Sequence, residues 1–315
     1  MGKYDINMIT EWLKHIARLN LPIYQYESDK IKIVYAGYSS IKRNYYLGLM
    51  LENWQSHTSL GRRWFWEIPH LIKSHNIDMA ISEISPVVLN HFQRYNGYII
   101  PEWTTMRINI DRPISEICNK HVSDFKDVKR RIRLHNLTYE MLTDKGSFNT
   151  FYEKYYLPYM KKRHGEEAWI EDLNKLWESS PSNELMAIKE NDTIVGVALI
   201  RKSEESIYLS RLGLLDGDDK YRSHGVIGSM YYFCIIEGQK TNCRFLDMGG
   251  TRPFLTDGLT KYKIRLGGEF VSELSPQKEY LWLGINEHSS IAKEFLRNNQ
   301  FMYVSKDFKL SKYTI

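Results

Sequence analysis

SIYLSRLGLLDGDDKYRSHGVIGSMYYFCIIEGQKTNCRFLDMGG, residues 206–250, is the stretch whose reading decides the fold. A strand over 206–214 runs into a polar loop that presents Arg222-Ser223-His224-Gly225. A nearly all-apolar helix over 226–236 begins at once, with Gly228 in its first turn, and a strand over 244–248 follows. Glycines let the backbone approach a ligand closely, while unpaired first-turn amides and the positive end of the helix dipole favour an anion. Arg222 adds a planar guanidinium fork, so a pyrophosphate is the natural guest of Arg222, Ser223, His224, Gly225 and Gly228. The plainer alternative is that the glycines only turn the chain onto a helix.

Upstream, ELMAIK (184–189) and TIVGVALIR (193–201) read as strands joined by the tight turn Glu190-Asn191-Asp192. With 206–214 they form an expected antiparallel meander, because the connections are too short for crossover helices. Further upstream the pattern predicts a strand at 137–142 and helices at 148–163 and 169–179. The N-terminal third reads as mixed: an amphipathic helix over 1–19, a strand at 31–36, helices at 40–54 and 62–73, and strands at 77–84, 98–100 and 104–110. A polar helix over 113–134 carries the densest basic run, Lys126, Lys129, Arg130, Arg131 and Arg133. It reads as a solvated helix face, with an anion-contacting edge as the sharper alternative. The expected division is 1–118 and 119–315, the second part including the linking basic helix 119–135.

A chain of 315 residues with 43% hydrophobic and 26% charged residues has the composition of an ordinary globular protein. Its 43 Lys and Arg against 38 Asp and Glu give +5, far short of a nucleic-acid coat and compatible with a phosphate-bearing cofactor. Cys118, Cys234 and Cys243 show no CxxC spacing, and with no secretory leader they point to reduced thiols and a cytoplasmic location. No stretch reaches the roughly 20 apolar residues of a membrane-spanning helix. Ten histidines without HExxH or paired Cys/His spacing argue against a dedicated zinc site.

Strands feeding an Arg/Gly loop, a buried helix and a further strand resemble the core of the GNAT acyltransferase superfamily, whose acyl-CoA loop reads roughly R/QxxGxG/A. Here Gly228 stands one residue beyond that spacing, which puts Ile227 at the second glycine. FLDMGGTRPFLTDGLTKYKIRLGGEF (245–270) resembles the Fem-like branch of the superfamily, which includes the peptidoglycan bridge-forming transferases. YNGYIIPEWTTMRINI (95–110) resembles the close of that branch's first half. The likeness covers most of residues 95–285. It implies an α/β (α+β) fold of tandem GNAT-like mixed sheets flanked by helices, and an N-acyltransferase that moves an acyl group from acyl-CoA to a small-molecule or peptide amine, with no metal and no membrane insertion. An aminoacyl-tRNA donor, which would make tRNA a partner, and a non-catalytic ligand-binding relative are the alternatives.

Within that resemblance, Tyr262-Lys263 matches the aromatic-Lys pair near the transferred acyl group, where an ammonium can stabilise developing negative charge. Asp247, at a strand end before two glycines, is the candidate proton acceptor. The amides of residues 211–213, from Arg211 to Gly213, are the expected oxyanion contacts. Arg252 reads as a carboxylate or phosphate clamp, or as a structural loop arginine. Asp257 reads as a helix N-cap, with contact to the amine as the alternative. Tyr231 and Tyr232 read as core, one hydroxyl being a possible acid for a leaving thiolate.

Overall fold

The structure is a computed structural model that describes residues 16, 19–51, 57–119, 124–165, 170–178, 184–273 and 279–314. The opening helix expected over 1–19 lies almost wholly outside the described residues. The chain divides into two contact units, one of Met1–Thr104, Arg252–Thr260 and Ser272–Ile315, the other of Thr105–Thr251 and Lys261–Val271. This differs from the expected division at residue 118, because strand pairing returns the end of the chain to the first sheet.

In the first unit β1 (Asn20–Glu27), β2 (Lys32–Ala36), β3 (Thr58–Trp64), β4 (Met79–Ile84) and β5 (Gly97–Pro101) join a strand from the far end of the chain. β6 (Thr104–Asn109) leaves for the second sheet. β7 (Leu137–Leu142), β8 (Glu184–Glu190), β9 (Thr193–Lys202), β10 (Ser206–Leu214), β11 (Phe245–Thr251) and β12 (Glu269–Phe270) complete that second sheet. β13 (Tyr280–Ile285) returns to the first, and β14 (Met302–Val304) pairs with β15 (Leu310–Lys312). The six-stranded order is β3-β1-β2-β4-β13-β5 and the seven-stranded order β12-β6-β11-β10-β9-β8-β7. In the six-stranded sheet β2 pairs in parallel with β4, and in the seven-stranded sheet β10 pairs in parallel with β11. The chain is thus α/β with mixed sheets flanked by helices.

The expected meander is present: β8 pairs with β9, and β9 with β10, both antiparallel. Its first turn is tight because Asn191 and Asp192 both adopt positive φ, 48° and 68°, the conformation that two-residue hairpins demand. Residues 62–64, expected as helix, belong instead to β3, and the helix there is Ile68–Ser74. β1 escaped the sequence reading because Pro22 interrupts a strand pattern. It sits next to an edge strand, beside a register shift.

Five longer helices position the site residues: α1 (Ser40–Gly48), α2 (Phe125–Leu134), α3 (Leu157–His164), α4 (Val226–Lys240) and α5 (Gly258–Arg265). The segment Phe151–Tyr156 before α3 is a π-helical turn, wound wider than an α-helix. The second unit's core is built on α4, whose Val226, Met230, Cys234 and Ile235 are fully buried against Met186, Ile200, Ile207 and Leu246 of the sheet. That burial explains why the helix is apolar nearly all round.

Candidate functional site

β10 and β11 run in parallel register only from Ser206–Phe245 to Tyr208–Asp247. Immediately past this point the register of β10 against β9 shifts between Leu209 and Arg211, a bulge at Ser210. The bulge adds a residue and turns the strand locally, so β10 continues to Leu214 paired on its β9 side alone among the described residues. The two strands therefore part into a wedge at their C-terminal ends, the end at which open parallel sheets bind ligands.

β10 leads into the connection 215–225, which is not the open loop expected but a 3-10 turn, Leu215–Gly217, and a short helix, Asp219–Ser223, that carries Arg222 and Ser223. Beside it lies a cleft of about 220 Å³ lined by Tyr159, Lys162, Arg163, Gly217, Asp219 and Arg222. Three cations against one carboxylate make it an anion-favouring recess. Arg222 is more than half exposed and lies 3.9 Å from the Asp219 carboxylate. Burial raises the Tyr159 phenol above its usual range, with Arg163 and Arg222 pulling the other way, so it stays a hydrogen-bond donor there. Tyr159, Lys162 and Arg163 went unread in the sequence although YMKKRHG carries a visible basic run, because the denser run on α2 drew the assignment.

The loop ends at Gly225, the residue before α4, at φ 88°. A side chain there would also meet Arg131 of α2, whose Cδ lies 2.7 Å from the Cβ position. Arg131 donates to the Ser223 carbonyl and, at 2.8 Å, to Asp127. Hydrogen bonds from Arg130 and Arg131 hold the Asp127 carboxyl below its usual range. Of the basic run, Arg131 alone is thus seen to brace the loop, while Lys126, Lys129 and Arg133 are exposed. Gly228 is buried, and Val128 of α2 stands 2.9 Å from its Cβ position, so its small size serves helix packing. Ser223 donates to the Lys220 carbonyl at 2.6 Å. His224 turns to Glu190 and stacks on His135, and it does not line the Arg222 cleft.

Arg211 is held by Glu171 at 2.7 Å. Gly213 lies under the π-helical turn, its Cβ position 2.5 Å from the backbone nitrogen of Tyr156 and in contact with the Tyr155 carbonyl. Asp247 is buried and accepts from the Gly249 amide at 2.8 Å and from Arg107 at 3.3 Å, so its carboxylate fixes the end of β11. Lys263 is only 2% exposed, and its ammonium donates to the carbonyls of Gly249 and Gly250 at 3.2 and 2.7 Å. Its neighbour Tyr262 packs edge-on against Tyr231, and burial pushes both phenols well above their usual range. Lys263 and Asp247 are thereby brought together on the Gly249-Gly250 stretch, which continues β11 and is not the turn that its two glycines suggest.

Arg252 and Asp257 belong to the first unit. The Arg252 guanidinium lies between the rings of Tyr45 and Trp103, 4.4 and 4.1 Å from their centroids, and 3.5 Å from Glu102. Asp257 accepts from the amides of Leu259 and Thr260, which makes it the N-cap of α5. The first unit also has a parallel pair followed by a loop and helix, β2 leading into α1. There the Glu83 carboxylate, 3% exposed, accepts from Tyr35 and from the Ser39 amide, both at 2.7 Å, and crowds the Cβ position of Gly37. A protein carboxylate already occupies the place an anion would need, so the wedge of the second unit is the candidate.

Neither a family model nor a curated protein matches the chain. Among solved structures it is similar to L-PGS from Bacillus licheniformis, at 11% identity over 94% of this chain and 96% of that one, TM-score 0.42. It is similar to FemX at 13% identity over 82% and 83%, TM-score 0.43. A GCN5-related N-acetyltransferase from Sphaerobacter thermophilus matches at 12% identity over 83% and 76%, TM-score 0.40. No described helix is long and apolar enough to cross a membrane.

Proposed function

We propose that the second unit is a GNAT-like N-acyltransferase that takes its acyl group from acyl-CoA. The observation that carries this reading is the parting of β10 from β11 just past Tyr208 and Asp247, beside the bulge at Ser210. Such a wedge admits an extended, amide-bearing arm beside β10. The basic cleft beside Arg222 suits the arm's pyrophosphate, with Lys162 and Arg163 supplying charge the sequence reading had not assigned. In the reaction a neutral amine attacks the thioester carbonyl, its nitrogen bonds to that carbon, and the carbon–sulfur bond breaks. Backbone amides of residues 211–213 stabilise the oxyanion. Water accepts the amine proton, since the Asp247 carboxylate is committed to Gly249 and Arg107.

Calorimetric titration with acetyl-CoA tests the reading: binding is expected, and Arg163→Gln with Arg222→Gln should weaken it at least about tenfold, as loss of two charge-assisted contacts implies. Undiminished affinity in that double variant would remove the cleft from the site. Gly225→Val should abolish binding, because a β-branched residue at φ 88° is strained and collides with Arg131. An unchanged dissociation constant in Gly225→Val would contradict the loop assignment. The aminoacyl-tRNA donor is favoured by one observation, the Tyr262-Lys263 pair set between GGTRPF and LGGEF. It predicts that an aminoacylated acceptor-stem RNA raises the melting temperature and acetyl-CoA does not.

A further inference from the structure

We propose that His135, Glu190 and His224 form a binding site for a first-row transition-metal dication of the zinc class. The three residues come from separate parts of the second unit. His135 follows α2, Glu190 ends β8, and His224 immediately precedes the left-handed Gly225. Nδ1 of His135 lies 3.0 Å from one Glu190 oxygen, and Nδ1 of His224 lies 2.9 Å from that oxygen and 3.3 Å from the other. One ligand atom from each residue falls within 4.8 Å of the others.

Atoms bound to one ion at about 2.0–2.2 Å stand roughly 3.0–3.5 Å apart at tetrahedral or octahedral angles. Each imidazole nitrogen already keeps that separation from the carboxylate. Two imidazoles and one carboxylate are a donor set that zinc, cobalt and nickel favour over calcium or magnesium. The rings are stacked, centroids 4.1 Å apart at 13°. A turn of each ring about its Cβ–Cγ bond directs both Nδ1 lone pairs at a single ion, leaving Nε2 to carry the proton.

The backbone beneath the three ligands is fixed before any ion arrives. Leu137 is in register with Glu190 across β7 and β8, and the positive-φ turn at Asn191 and Asp192 follows directly. The His135 amide donates to Arg131 at 3.0 Å and the His224 amide to Lys220 at 2.9 Å. Side-chain exposures of 23%, 17% and 29% leave one face open for entry and for water as a further ligand. An ion here would clip the loop that ends at Gly225 to the β8–β9 hairpin and to the end of α2, closing chain separations of 55 and 34 residues.

The test is titration of the chelator-treated full chain with Zn²⁺, and with Co²⁺ followed by its visible absorption. One equivalent should bind, and the melting temperature should rise by about 5 °C at a hundredfold excess over the dissociation constant. Glu190→Gln, which keeps a hydrogen-bonding group beside both rings, should weaken binding at least about tenfold, as should His135→Asn and His224→Asn, each removing one imidazole ligand. If a variant fails to fold, the Co²⁺ spectrum of the wild type decides, since nitrogen and oxygen ligation lacks the intense thiolate charge-transfer band of the cysteines. Absence of stoichiometric binding, a thiolate spectrum, or binding unchanged in the folded variants would each overturn the site and leave a hydrogen-bonded His–Glu–His cluster.

Discussion

Gly213→Ala lowers the melting temperature of the protein by about 6–12 °C, the shift expected for roughly 3 kcal/mol lost in a domain of this size. The added methyl group points into the backbone of residues 155 and 156, where the Cβ position lies 2.5 Å from the Tyr156 nitrogen. Side chains yield to overpacking by changing rotamer, but a π-helical turn wedged against a strand has no rotamer to change. Either the turn lifts from β10, or β10 leaves its register with β9 at Val197. Differential scanning calorimetry measures the effect, and a shift under 2 °C would mean that the turn moves aside freely.

Lys263→Met should also be costly, on the order of 1–3 kcal/mol, because the carbonyls of half-buried Gly249 and exposed Gly250 lose a charged donor while the desolvation of the buried ammonium is relieved. The stem packs much as before, so the loss reports the interactions of the ammonium, the hydrogen bonds to Gly249 and Gly250 among them. These carbonyls end β11 at the wedge, and their release should also weaken acyl-CoA binding when measured below the melting transition. Wild-type stability in Lys263→Met would show that the ammonium contributes nothing net. Full stability with donor affinity lost would instead return Lys263 to a direct role at the acyl group.

The meander and the loop-to-helix junction were legible in the sequence because both are local. Period-two patterning, a turn of residues tolerant of positive φ and an apolar helix leave their marks within a few residues. The side-chain destinations were not legible. Lys263 carries a charge, and its neighbours in KYKIR gave no sign that its ammonium would be buried against the glycines of β11, 13 or 14 residues earlier. His224 reads as part of an anion loop from its neighbours in sequence, yet its partners are 34 and 89 positions upstream. A search for metal-ligand spacing cannot find three residues brought together by strand register. Gly228 read as an anion-contacting glycine in the first turn of its helix because the partner that requires its smallness, Val128, lies on another helix. Asp257 was the opposite case, since a cap bonds only to its own next turn.

The place of β13 in the first sheet governs the order in which the chain can fold as it is synthesised. β4 and β5 are complete by residue 101, but the strand that joins them is not made until residues 280–285. Until then the first unit exposes two strands with open edges, Met79–Ile84 and Gly97–Pro101, the former buried along its whole length in the finished protein. Exposed apolar edges are where chains pair with the wrong neighbour. The second unit meanwhile has all of its strands once residue 270 has emerged, so it can close first while the earlier-made half waits. A ribosome-bound or truncated chain ending near residue 118 therefore lacks the strand that joins β5 to the rest of its own sheet, and such a fragment would depend on chaperones or aggregate.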